Sequence, residues 1–201
     1  MNYFGHAALA ILRRERPFFV LGAMLPDFLA MLGGRLQNKR GGGFIREQLA
    51  NGVDFHLKTD AVFHQAPVFV AMNRRALIEL RQLGVSRGPA RACAHIGVEM
   101  LIDAHLIQRK DLYDQYLLAL RAGARSDDLF ACDGPNHRGR LSALCQHLAN
   151  RGAEVHEASA QRFEVRLKKT LEHRATLRPS ETELTLISKH LGGWSNLPLQ
   201  E

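Results

Sequence analysis

Apolar residues recur every three to four positions through most of the chain, and alternating runs rich in β-branched residues are scarce. Glycine and proline clusters fall between the periodic stretches, where they interrupt helical hydrogen bonding. This pattern predicts helices at roughly 3–14, 17–31, 44–64, 68–83, 89–109, 112–122, 140–150, 154–174 and 180–190. The expected fold is all-α, a single compact helical domain of about eight or nine helices. Two breaks separate the periodic stretches, the glycine-rich segment 33–43 with Arg35, Lys39 and Arg40, and the Asp-, Gly-, Pro- and Asn-rich segment 126–139. The second also marks a change in composition. Before it, histidines come with carboxylates at helical spacing, and after it they stand alone. Residues 1–123 are therefore expected to form a metal-site helical core and 124–201 a helical C-terminal extension.

Composition narrows the class without choosing a task. A chain of 201 residues with 46% hydrophobic content can bury a full core. Its 27 Lys+Arg against 20 Asp+Glu give a formal charge of +7, which attracts an acidic protein, nucleic acid or an anionic lipid surface alike. Cys93, Cys132 and Cys145 are odd in number and widely spaced, as buried thiols of a reducing compartment are, so the cytoplasm is the expected location. The apolar run 18–32 is broken by Pro26 and Asp27 and is too short to span a bilayer.

The candidate chemistry lies in the first 110 residues. Side chains four apart on a helix share a face, so HxxxD and HxxxE present an imidazole nitrogen and a carboxylate oxygen to one point. His56, Asp60 and His64 form one such series; His95, Glu99 and Asp103 form another. With this acid content, ten histidines meet an acid four positions later about once by chance, so the pairs alone are compatible with helix-surface ion pairs. The third member of each series and the apolar setting point further, to a divalent metal held by mixed ligands, Zn, Mn or Fe rather than Ca. His6, in an apolar amphipathic stretch, and Asp27, in the most hydrophobic one, join the candidate ligands. His105 fits a core residue as well as a ligand.

The segments MNYFGHAALA, LGAMLPDF, GVDFHLKTDAVFHQAP and EMLIDAHL resemble successive blocks of the acyl carrier protein phosphodiesterases, relatives of the HD-type metal phosphohydrolases. The likeness covers most of residues 1–110. It implies a helical fold, a divalent metal, typically manganese, removal of phosphopantetheine from a carrier protein, and roles for His6, Asp27, His56, Asp60 and Asp103. The order His6, Asp27, His56, Asp60, His64, His95, Glu99 is also similar to the ligand order of zinc-dependent phospholipases C. Both resemblances imply phosphodiester cleavage.

On this reading one to three divalent ions are held by His6, Asp27, His56, Asp60, His64, His95 and Glu99, with Asp60 bridging, and Asp60, Asp103 and Lys58 serve catalysis. Lys58, Arg46 or the segment with Lys39 and Arg40 would hold the phosphate. The rival reading is a non-catalytic binding protein. Arg162, Arg166, Lys168, Lys169 and Arg174 lie on one predicted helix and could dock an acidic carrier protein, RNA or a membrane surface. Aromatic residues for base stacking are few, which disfavours nucleic acid.

Overall fold

A computed structural model of the protein describes residues 1–33, 44–126, 139–152 and 159–194. The segment holding Lys39 and Arg40, Cys132 and the expected helical residues 154–158 lie outside these. Among the described residues the chain is all-α, as the apolar spacing predicts, with helices α1 (Tyr3–Leu12), α2 (Pro17–Met31), α3 (Phe44–Phe63), α4 (Pro67–Gln82), α5 (Arg87–Leu106), α6 (Lys110–Ala124), α7 (Arg140–Arg151), α8 (Ala160–Leu171) and α9 (Glu181–Gly193). Among them no helix is long and apolar enough to cross a membrane. Helix α5 starts two residues before the expected Pro89 and ends three before the expected 109. Proline is tolerated there because a first-turn residue has no intrahelical partner for its missing N–H.

The helices associate as two compact units, Met1–Phe63 with Leu106–Val155, and His64–His105 with His156–Glu201. In the first unit Phe4, Leu21, Met24, Phe28, Leu112, Tyr116 and Leu120 fill a core from which water is excluded. The packing of α2 on α3 is its closest feature. A Cβ on Gly22 would collide with the Leu49 carbonyl oxygen, and one on Gly52 with the Phe19 carbonyl oxygen. The two backbones thus touch where side chains would hold them apart, and this close approach carries Asp27 and His56 toward each other.

Pro26 lies inside α2. Having no N–H, it leaves the Gly22 carbonyl without its usual donor and loosens the ladder in that turn.

The second unit contains α4, α5, α8 and α9. On α8, Phe163, Leu167 and Leu171 recur at four-residue steps and are fully buried, giving a narrow apolar stripe opposite the exposed Val165 and Lys169. Helix α9 begins with a capping box in which Ser180 and Glu183 satisfy each other's backbone N–H groups. Glu183 also accepts from the backbone N–H of Ser86 at 2.7 Å. These bonds hold its carboxyl down at about 2, the Ser86 hydroxyl first among them.

Candidate metal centre

In the first unit, α1 supplies His6, α2 Asp27 and α3 His56, and one ligand atom from each lies within 4.8 Å of the others. The two imidazoles stack with ring centroids 3.7 Å apart. Both are buried, His6 completely. The hydrogen-bond partners fix their tautomers. His56 Nδ1 is 2.8 Å from the Ala23 carbonyl oxygen, which can only accept, so Nδ1 carries the proton and Nε2 keeps a lone pair.

The Thr59 hydroxyl donates to the carbonyls of Phe55 and His56 at 2.9 and 3.1 Å. Its proton is thereby committed, and its lone pair accepts from His6 Nδ1–H at 3.1 Å. His6 Nε2 is then the unprotonated nitrogen, buried and making no hydrogen bond among the described residues, with Asp60 Oδ1 3.5 Å away. This is the arrangement metal-binding histidines adopt, in which a bond to one ring nitrogen orients the other toward the ion.

Electrostatics favour the same state. Burial, then the neighbouring His56 and the Met1 amino group, push His6 from its ordinary value of 6.5 down to about 3. Burial also lowers His56, against the opposing pull of the Ala23 carbonyl. Two neutral imidazoles beside a carboxylate are the donor set that Zn or Mn accepts.

Asp60 stands next to this group without being one of its three members. Its Oδ1 is 2.6 Å from the Met1 amino group and 3.5 Å from His6 Nε2. Lys58 is exposed on α3, as is Arg46 in its first turn.

The second unit brings together His64, which follows α3, and His95 and Glu99 of α5. Glu99 Oε1 is 3.1 Å from His95 Nε2 and 3.7 Å from His64 Nε2. The rings of His64 and His95 stack at 4.7 Å, and both meet the edge or face of Phe69 at 5.1 and 5.3 Å. Burial pushes the Glu99 carboxyl up, but the opposing effects, the hydrogen bond with His95 first among them, hold it below the usual range. Asp103, one turn beyond Glu99, is completely buried and belongs to neither group of three. His105 is exposed at the end of α5.

Sequence reasoning passed over Thr59, the Ala23 carbonyl, Phe69 and the two glycines. Gly22 and Gly52 in otherwise apolar or helix-forming stretches were a readable signal of close helix contact. A backbone carbonyl leaves no mark in a sequence.

In comparison with known proteins, the chain matches no family model, no curated protein and no solved structure.

Proposed function

We propose that the protein is a metal-dependent phosphoric ester hydrolase, a relative of the acyl carrier protein phosphodiesterases, with its ion at His6, Asp27 and His56. The observation that carries this reading is the pair of Nδ1–H bonds, His6 to Thr59 and His56 to Ala23. They leave two Nε2 lone pairs next to the half-buried Asp27 carboxylate, a mixed ligand set of the kind a divalent cation takes.

A divalent ion supplies a water of lowered pKa and neutralises charge on phosphoryl oxygens. The chain's own residues do the rest. His6 and His56 bind as neutral donors, and Thr59 and the Ala23 carbonyl hold their rings. Asp60, 3.5 Å from His6 Nε2, is placed to accept a proton or complete the ligand set. The charge of +7 favours an anionic phosphorylated substrate, of which a phosphopantetheinylated carrier protein is one.

A second reading draws on the second unit. His64, His95 and Glu99 offer a further ligand group, as an enzyme with several zinc ions, like the zinc-dependent phospholipases C, requires.

The test is metal analysis of purified protein, then assays on bis-p-nitrophenyl phosphate, phosphatidylcholine and holo acyl carrier protein. We expect stoichiometric Mn or Zn and cleavage of the carrier protein's phosphodiester. Cleavage of the lipid would reverse the ranking of the two readings. Absence of metal, together with no turnover after Mn or Zn is added, would overturn both.

A further inference from the structure

Arg87, Arg91, His95 and Glu99 stand at successive four-residue steps on α5, so each lies close above the last on the helix surface. The stripe changes character along its length. Its far end, His95 and Glu99, belongs to the histidine–carboxylate group of the second unit. Its near end lines an open cavity of about 490 Å³, where Arg87, Arg91 and His95 face Arg174 and Leu177 from the turn after α8.

That turn is held in place. Gly88 lies so close to it that a Cβ there would come within 2.5 Å of the Thr176 carbonyl oxygen. The backbone N–H groups of Leu177 and Arg178 both donate to the Arg174 carbonyl, at 2.8 and 2.9 Å. Arg174 is therefore presented by a short closed turn packed on α5.

Three guanidiniums around one concavity are unfavourable in isolation. Arg87 and Arg91 are like charges one turn apart, which destabilises a helix. Arg87 is also in the first turn, where the helix dipole disfavours a cation. Neither 87–98 nor 173–180 contains Asp or Glu, and the nearby Glu183 carboxylate is taken up by the backbone N–H and hydroxyl of Ser86 and by Ser180. Every one of these costs becomes a gain when an anion occupies the cavity. Ile96 and Leu177 add half-buried apolar surface to its lining.

We propose that this cavity binds a phosphate-type oxyanion, either free or as the terminal phosphoryl group of a small molecule. Three guanidinium forks offer more N–H donors than one carboxylate can accept, and a tetrahedral phosphate dianion matches them. His95, which lines the cavity and sits 3.1 Å from Glu99, links the anion to the histidine–carboxylate group. The inference goes beyond the function proposed above and needs neither metal nor turnover.

The experiment is calorimetric titration of the full, chelator-treated protein with inorganic phosphate at low salt, with phenyl phosphate and acetate in parallel. The expected result is saturable binding of one phosphate per chain, weakened about tenfold or more in both Arg91→Gln and Arg174→Gln and unchanged in Lys168→Gln. Arg174 lies outside the helices, so its variant keeps the test alive if Arg91→Gln fails to fold. Tighter phenyl phosphate would identify a phosphoryl group on an organic carrier, and equal affinity would identify free phosphate. The proposal is overturned by absence of saturable binding, by acetate binding as tightly, or by unchanged affinity in the arginine variants. Loss of phosphate binding in His56→Ala would also overturn it, by placing the anion at the first unit's group instead.

Discussion

The two histidine–carboxylate groups use the same residue types and treat them differently. In the first unit the imidazoles of His6 and His56 direct their Nδ1–H bonds to a hydroxyl and a backbone carbonyl, neither of which titrates. In the second, His64 and His95 face Glu99 directly, and His95 is 41% exposed. Burial therefore keeps the first pair neutral, while in the second group His95 Nε2 lies 3.1 Å from Glu99 Oε1. A metal in the second unit would have to displace that pairing, whereas in the first it would meet the His56 Nε2 lone pair and a His6 Nε2 that lies 3.5 Å from Asp60 Oδ1. Ligand spacing along a helix does not distinguish the two cases; what the other ring nitrogen touches does.

The contrast begins in the packing, so its largest expected effect is on stability. Gly22→Ala drives a Cβ into the Leu49 carbonyl, and because backbone cannot swing aside it is expected to cost about 3 kcal/mol. In the second unit Gly97→Ala meets the end of the Leu191 side chain, which can rotate, so about 1 kcal/mol is expected. Urea denaturation of both variants checks this; equal losses would mean that the backbone contact of α2 with α3 is not special.

Next in size is the hydroxyl that orients His6. Thr59→Val keeps the shape and removes the acceptor, and divalent metal affinity is expected to fall about 10- to 100-fold, read by competition with a metal chromophore. The fold itself should survive, since Thr59 is only half-buried. Unaltered affinity would deny the hydroxyl its orienting role.

Acid should separate the units. His6 is depressed in the folded state, so between its ordinary 6.5 and about 3 the unfolded chain binds the proton that the folded one refuses. Stability is full above 6.5 and declines as pH falls through that window, at up to about 1.4 kcal/mol per pH unit. Glu183, depressed to about 2 from 4.5, contributes above 4.5, and its contribution is lost only as pH falls further toward 2. Hydrogen exchange should therefore show α1 and α3 loosening at higher pH than α9. The reverse order would contradict the assignment of His6 as a buried neutral imidazole.

The smallest effect expected is at the start of α9. Ser180→Ala removes one half of the capping box and is expected to cost about 1 kcal/mol, measured by thermal melting. An equal effect from Lys168→Ala, which breaks an exposed pair with Glu181, would mean the cap is worth no more than a surface ion pair.

Much of this architecture could be read from the chain. The four-residue recurrence of Phe163, Leu167 and Leu171 announces a buried stripe, and Ser180 with Glu183 announces a helix start. What periodicity cannot give is the partner across a face. His56 and Asp60 share a face of α3, yet His56 meets α2 through Ala23 while Asp60 takes the Met1 amino group. These are contacts between residues far apart in sequence, set by how closely the backbones approach. Composition follows chain order, whereas helix association does not, since α6 and α7 join the first three helices. The histidine series 56–60–64 was legible as a series, but its members part company in the fold. His56 joins His6 and Asp27, and His64 joins His95 and Glu99.

The most direct test of the account is a calorimetric titration of Mn or Zn into chelator-treated wild type, His56→Ala and His95→Ala. The account predicts that His56→Ala loses the tightest site together with phosphodiester hydrolysis, while His95→Ala retains both. If His56→Ala kept the full metal complement at wild-type affinity, the central claim would be contradicted.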